Sequence, residues 1–311
     1  MVFSYMSALL RSVPRSLFLS RIILNNISYL ISSFDTGVQI PYIQYMRLGI
    51  IGCGKMGSAL VKGAINKGAI KADLVSVFDV IDSASKKLAN DIGATIASSH
   101  DDLINNSEVV LLCVKPQDTL KMLEGLKPLA QSTLFISIAA GLKLLDLEKS
   151  LDQSARIIRV MPNTPALVGK GASAFSRGAK ATDEDVSFVI NILGSVGKVL
   201  EVPEKQIDAI TGLSGSGPAY IYTVIEALAD GGVLVGLPKD KALLLAAQTV
   251  AGAAEMVIQT EDHPASLRDQ VASPGGTTVA GLAALESGKL RTALIDAVKA
   301  ATLRSEELGK S

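Results

Sequence analysis

A short aliphatic run, Leu48–Ile51, stops at Gly52 and gives way to Gly-Cys-Gly-Lys-Met-Gly, after which helical spacing takes over from Met56 to Lys67. A strand that turns into a helix within a few residues needs glycine at the bend, because glycine alone adopts positive φ without strain. The spacing over Gly52–Gly57 is G-x-G-x-x-G. Gly52 permits the tight turn, Gly54 lets the backbone approach a pyrophosphate, and Gly57 lets the helix close on its strand. The helix starting near Lys55 directs free N–H groups and the positive end of its dipole at the same point. Glycine-rich turns also arise for structural reasons, so the strand before and the helix after carry the weight. On this reading Ile51, Gly52, Cys53, Gly54, Lys55, Met56 and Gly57 bind a nicotinamide dinucleotide.

The pattern repeats downstream. Leu74–Val80, Val109–Val114, Leu134–Ala139 and Arg156–Met161 are apolar, β-branched runs. Helical stretches fall at Ser83–Asp91, Asp118–Leu129 and Leu144–Ser150. Runs apolar on both faces fit strands covered on both sides. The predicted fold is α/β, a Rossmann-type doubly wound parallel sheet. Ala172–Ser176 and Lys198–Val202 add two strands around a helix at Asp183–Leu193, with Thr182 as its N-cap.

After Pro203 the strand pattern ends. Ala219–Val235, Pro238–Ile258, Pro264–Ala272, Thr278–Glu286 and Lys289–Leu308 read as helices. Pro238 suits a first turn, and Gly236 stops the preceding helix. This divides the chain into a dinucleotide-binding domain at 46–203 and an all-α domain at 204–311. Ala242–Ala254 carries almost no charge, so a domain this small needs a partner subunit to cover it.

Asp79 stands about 20 residues beyond Gly57, where an acidic residue can accept hydrogen bonds from an adenosine ribose. That favours NADH, while Lys86 and Lys87 nearby keep NADPH open. Val114-Lys115-Pro116 closes the Val109–Val114 run at the carboxyl edge, where ligands of open α/β sheets sit.

Thirty acidic residues balance 30 basic ones, so no global field favours nucleic acid or an anionic membrane. Two cysteines and two histidines give neither a disulfide framework nor a histidine-rich metal centre, and no metal site is expected. Residues 1–45 carry Arg11, Arg15, Arg21 and a single acid, Asp35, which resembles a transit peptide. Arg21 and Asn25-Asn26 interrupt any membrane span there. Met46 is a natural start for the first strand, and a misassigned start there is preferred over targeting. The extension is therefore set outside the fold, with a cytoplasmic location expected.

Two polar segments interrupt the helical part, Gly212–Tyr220 (GLSGSGPAY) and Ser273–Thr278 (SPGGTT). Each precedes a helix, and helix starts flanked by Ser, Gly and Thr suit a carboxylate. The second offers four successive backbone amides, Gly275–Thr278, and three hydroxyls.

Together, GCGKMG, VKP, MPNTP at Met161–Pro165, GLSGSGPAY and SPGGTT closely resemble the pyrroline-5-carboxylate reductases over Arg47 to about Leu308. The resemblance implies reduction of a cyclic imine bearing a carboxylate, 1-pyrroline-5-carboxylate, to L-proline with NADPH or NADH. It implies that Ser273, Gly275, Gly276, Thr277 and Thr278 hold the substrate, and that Thr278 acts as the catalytic residue, meeting the ring nitrogen. Glu261 matches a family glutamate near the substrate. The resemblance also implies an interlocked homodimer assembled into a larger ring. His100 stands where the family often has asparagine near the adenosine, and with Asp79 this tilts the expectation towards NADH.

Two rivals share the first domain. β-Hydroxyacid dehydrogenases use G-x-x-G-x-G-x-x-x-K, and Gly212, Gly215 and Gly217 reproduce the glycines. Ile221 occupies the lysine position and cannot transfer a proton. A non-catalytic NAD(H) sensor would have no use for Ser273–Thr278.

Overall fold

The aliphatic runs assemble into one eight-stranded sheet in the computed structural model, which describes residues 46–126, 132–151 and 154–309. The expected extension at 1–45 lies outside the described residues, as does the end of the helix expected at Asp118–Leu129. The strands are β1 Leu48–Ile51, β2 Val75–Phe78, β3 Thr95–Ile96, β4 Val109–Leu112, β5 Leu134–Ser137, β6 Arg156–Met161, β7 Gly171–Arg177 and β8 Gly197–Glu201. Their order is β3-β2-β1-β4-β5-β6-β7-β8. The first six are parallel, in the doubly wound order whose switch point lies between β1 and β4.

The sheet is parallel-dominated as expected, with one antiparallel pairing at the far edge. β7 pairs antiparallel with β6, in the register Met161↔Ala174, and β8 pairs parallel with β7. Only a short 3-10 turn, Thr164–Val168, lies between β6 and β7, where a parallel return would need a crossover of a dozen or more residues.

The helices of this half are α1 Lys55–Asn66, α2 Asp82–Ile92, α3 His100–Asn105, α4 Pro116–Leu126, α5 Leu144–Lys149 and α6 Asp183–Gly194. Ile51, Val110, Leu112, Phe135 and Ile157 of the sheet pack with Leu103, Leu123, Leu126 and Leu147 of the helices on one face. Burying each such side chain contributes about 1.5–3 kcal/mol. The cap of α6 takes the expected form. Thr182 Oγ1 accepts from the Asp185 N–H at 3.3 Å, and Asp185 accepts from the Thr182 N–H at 2.9 Å. Asp185 is buried and also accepts from Arg156 of β6 at 2.9 Å, so the cap anchors the helix to the sheet.

Beyond β8 the chain is helical: α7 Ile207–Ile210, a π-turn at Thr211–Gly215, α8 Gly217–Leu234, α9 Lys239–Thr260, α10 Pro264–Gln270, α11 Thr277–Ser287 and α12 Leu290–Leu308. Gly236 ends α8 with φ +104°, as expected, whereas Pro238 is the N-cap of α9 rather than part of its first turn. α8 and α9 pack through Ile225, Ala229, Ala242 and Ala246. Their outer faces leave Leu234, Val235, Leu244 and Leu245 between 56% and 88% exposed. By length and composition Lys239–Thr260 is also apolar enough to cross a membrane.

Arg159 of β6 joins the two parts. Its guanidinium pairs with Glu204 at 3.0 Å and Asp208 at 3.7 Å, and Asp208 accepts from Ser305 of α12 at 2.7 Å.

Candidate active site

The glycine turn lies at the carboxyl edge of the sheet, between β1 and α1. Gly52 has φ +98°, and a Cβ there would lie 2.5 Å from the Cys113 carbonyl oxygen. A Cβ on Gly57 would lie 2.5 Å from the Gly52 carbonyl oxygen and 3.1 Å from Cys113 Sγ, so this glycine sets how closely α1 approaches the sheet. Gly54 differs from both. It is exposed, and a Cβ there would meet nothing within 4 Å. Gly54 is also the N-cap of α1, with no side-chain cap and no acidic residue in the first turn. The first N–H groups of α1 therefore face open space with no protein acceptor competing for them, which suits a pyrophosphate. A groove of about 670 Å³ runs from Cys53, Gly54 and Lys55 along α1 to Lys67.

Asp79 follows directly on β2. Its two carboxylate oxygens accept from the Cys53 N–H at 2.7 Å and the Ile81 N–H at 2.8 Å. The acid is thus fixed against the glycine turn. Burial, with Asp79 adding its charge, pushes the Cys53 thiol up to about 12. Burial also raises Cys113, so both stay protonated and act as small apolar residues. His100, at the start of α3, lies against the Phe78 ring with centroids 4.4 Å apart. Burial holds its pKa below the ordinary value, with Asp101 opposing, so the imidazole is neutral at physiological pH. Asp79 is thus bonded to the turn directly, whereas His100 touches Phe78, whose carbonyl accepts from the Gly52 N–H at 2.9 Å.

Val114 is half-buried, Lys115 exposed, and Pro116 opens α4. On the adjacent strand, Ser137 ends β5 and accepts from the Ala139 N–H at 3.3 Å. The loop it begins, Ala139–Gly141, occupies the same carboxyl edge. The sequence reading gave it no role, although a small-residue loop after an apolar strand was the available signal.

Asn163 stands within the MPNTP motif, to which the sequence gave no role. It is buried just after β6; its Oδ1 accepts from the Ala172 N–H at 2.8 Å and its Nδ2 donates to the Ser214 carbonyl at 3.0 Å. It ties the sheet edge to the helical part. Beside it opens an apolar cavity of about 430 Å³, lined by Pro218, Tyr222, Leu294 and Val298 among others.

The two glycine-rich segments of the helical part prove unlike. The first is no helix start. Ile210, Thr211 and Ser216 all have right-handed helical φ and ψ, so α7, the π-turn and α8 run on as one rod without free amides. Gly212 serves packing: a Cβ there would strike Thr302 Oγ1 at 2.3 Å, whereas one on Gly217 would meet nothing within 4 Å. Tyr220 Oη donates to the Gly212 carbonyl at 3.1 Å.

The second segment is a true helix start. Gly275 has φ +66°, and Gly276 is an extended N-cap with no side-chain cap over α11. Thr278 is half-buried, and among the described residues its hydroxyl makes no hydrogen bond. Ser273–Thr278 does not line the Asn163 cavity, and its hydrogen bonds among the described residues stay within the helical part. Glu261 caps α9 in the left-handed conformation, φ 59°. Among the described residues no cluster of three or more His, Cys, Asp or Glu is placed to hold a metal.

Comparison with known proteins gives these features a context. Residues 204–308 match the family model for pyrroline-5-carboxylate reductase dimerisation, and residues 47–141 match the model for NADP oxidoreductase, coenzyme F420-dependent. The dimerisation match covers α9 and its exposed apolar face. A pyrroline-5-carboxylate reductase of Glycine max is 48% identical over 270 residues, covering 86% of this chain and 98% of the relative. The Escherichia coli (strain K12) reductase is 38% identical over 266 residues, covering 85% and 99%. Among solved structures, a pyrroline-5-carboxylate reductase from Coxiella burnetii superposes with a TM-score of 0.81 at 37% identity, covering 86% of this chain and 99% of that one. The Plasmodium falciparum pyrroline carboxylate reductase, solved with NADP bound, gives 0.77 at 34% identity over the same shares. With identity of this level along nearly the whole length of its relatives, and with sheet and helices superposing as well, the chain belongs to the pyrroline-5-carboxylate reductase family.

Proposed function

We propose that this chain reduces 1-pyrroline-5-carboxylate to L-proline with NAD(P)H, the last step of proline synthesis. The observation that carries the reading is the pairing, in a member of this family, of two uncapped helix starts: one behind Gly54, the other behind Gly276. The first takes a pyrophosphate and the second a small carboxylate.

On this reading Ile51–Gly57, Asp79, His100 and Val114–Pro116 surround the dinucleotide. A bound reduced nicotinamide supplies the hydride. The chain does the remainder by holding and orienting. Ser273 and the amides of Gly275, Thr277 and Thr278 hold the substrate carboxylate; the Gly276 N–H, expected as a fourth donor, is taken by the Ser273 carbonyl at 2.9 Å, so Gly276 shapes the turn instead. The free hydroxyl of Thr278 meets the ring nitrogen, which gains the electron pair of the C=N bond as hydride adds to its carbon. A protonated imine is already a strong acceptor, so the step requires no histidine base.

Among the described residues of one chain the hydrogen bonds of Ser273–Thr278 remain among the helices. We therefore infer that the segment reaches the nicotinamide in a homodimer, where the apolar faces of α8 and α9 are covered, and that dimers assemble into a larger ring. The dimerisation match over 204–308 supports the first of these steps.

The test is loss of reduced-nicotinamide absorbance when pyrroline-5-carboxylate is added to purified protein, with proline identified as product. Protein that binds the dinucleotide yet turns nothing over would defeat the reading.

A further inference from the structure

We propose that Asp79 makes this chain select NADH over NADPH. The proposal rests on the reading of Gly52–Gly57 as the dinucleotide site and concerns what that site does at its adenosine end. NADPH differs from NADH by a phosphate on the ribose 2′-oxygen, which needs a cation or open hydrogen-bond donors beside the end of β2. This chain presents the opposite.

The Asp79 carboxylate is pinned on both oxygens by the Cys53 and Ile81 N–H groups, at 2.7 and 2.8 Å. It cannot swing away from an incoming phosphate without breaking the bond that ties it to the glycine turn. Each oxygen retains a lone pair, so the same carboxylate can still accept from ribose hydroxyls. The next two residues are Val80 and Ile81, 85% and 61% exposed, which offer apolar surface and no side-chain donor. Asp82 adds a second negative charge and holds Lys86, the nearest following cation, at 3.4 Å. Lys87 lines the groove along α1, where Lys62 and Asp91 also lie. His100 is packed on Phe78 and uncharged, and Lys55 of the glycine turn lies at the start of α1, on the groove that runs along that helix. A 2′-phosphate would therefore meet two carboxylates and two aliphatic side chains, with no free cation facing it from the β2–α2 loop.

The experiment measures dissociation constants for NADH and NADPH by nicotinamide fluorescence, and kcat/KM with each, on the full chain and on Asp79→Ser, Asp79→Asn and Lys87→Ala. The wild-type chain is expected to favour NADH at least about tenfold in both measures. Asp79→Ser is expected to narrow or invert that ratio, through tighter NADPH and weaker NADH. Asp79→Asn removes the charge at nearly constant shape and guards against a folding defect in the serine variant; it is expected to move the ratio the same way. Lys87→Ala is expected to leave the ratio unchanged. A wild-type preference for NADPH, a ratio untouched by either Asp79 variant, or a Lys87→Ala variant that loses NADPH alone would each overturn the proposal. The binding arm stays decisive even if pyrroline-5-carboxylate is not reduced, so failure of the reductase reading and failure of the selectivity reading are separable.

Discussion

Arg159 and Glu204 meet at 3.0 Å where the sheet joins the helices, with the guanidinium only 2% exposed. Glu204 also accepts from the Leu144 N–H at 2.6 Å, so one carboxylate serves β6 and the start of α5 together. Removing one member of a buried pair strands the other. Glu204 and Asp208 are one-third and one-fifth exposed, so water relieves part of that cost. Arg159→Ala is expected to destabilise by about 3 kcal/mol, the low end for a broken buried pair. Glu204→Gln, which keeps an acceptor, should cost about 1 kcal/mol. Urea unfolding at fixed protein concentration gives both numbers.

The three glycines of the turn should separate folding from binding. Gly54→Ala adds a methyl group where nothing lies within 4 Å, at φ −69°, so the thermal midpoint should hold while dinucleotide affinity falls about tenfold or more. Gly52→Ala places its methyl 2.5 Å from a carbonyl oxygen at φ +98°, and stability and binding should fall together. Calorimetry with and without NADH distinguishes the two patterns.

Thr278→Ala is expected to depress turnover while dinucleotide affinity stays nearly intact, because among the described residues the Thr278 hydroxyl makes no hydrogen bond. Thr278→Ser should restore part of kcat. Equal loss of turnover, dinucleotide affinity and stability would assign the residue to folding.

Leu244 and Leu245 lie 70% and 56% exposed on α9. A charge there should oppose the covered state. Leu244→Glu is expected to shift sedimentation towards monomer and to reduce turnover in proportion.

Acid should weaken the fold through His100. Burial lowers its folded pKa below the ordinary 6.5, so the unfolded chain takes up the proton first. Its contribution is fully present above that ordinary value, is lost as pH falls through it, and levels off below the folded pKa. Thermal midpoints from about pH 8 to about pH 5.5 should decline in the wild-type chain, and the decline should flatten in His100→Asn.

What the sequence made legible was local. The G-x-G-x-x-G turn, the Thr182 cap and β6 from Arg156 to Met161 depend on residues within a few positions of one another. β3 escaped notice because Thr95–Ile96 is two exposed residues long, too short for any period to register. The direction of β7 escaped for another reason: side-chain alternation is the same whichever way a strand runs, and only the connection length distinguishes them. The rod through Gly212 looked like a helix start because glycine and serine mark turns, yet Gly212 there lets α12 approach. Asn163 reaches Ser214 across 51 residues, a pairing no local pattern contains.

The reversal of β7 and β8 has a practical bearing on where this protein divides into working parts. β8 runs back from the carboxyl edge, and at Pro203 the chain turns and climbs again. Glu204 meets Arg159, Ile207 packs on Met161, and Ser214 receives Asn163. The stretch from Glu204 to Ser214 is helical, yet it braces the dinucleotide-binding sheet. A chimera that borrowed this sheet for another substrate would have to carry the splice past Gly215. One cut at Pro203 would leave the guanidinium of Arg159 buried without its counter-ions.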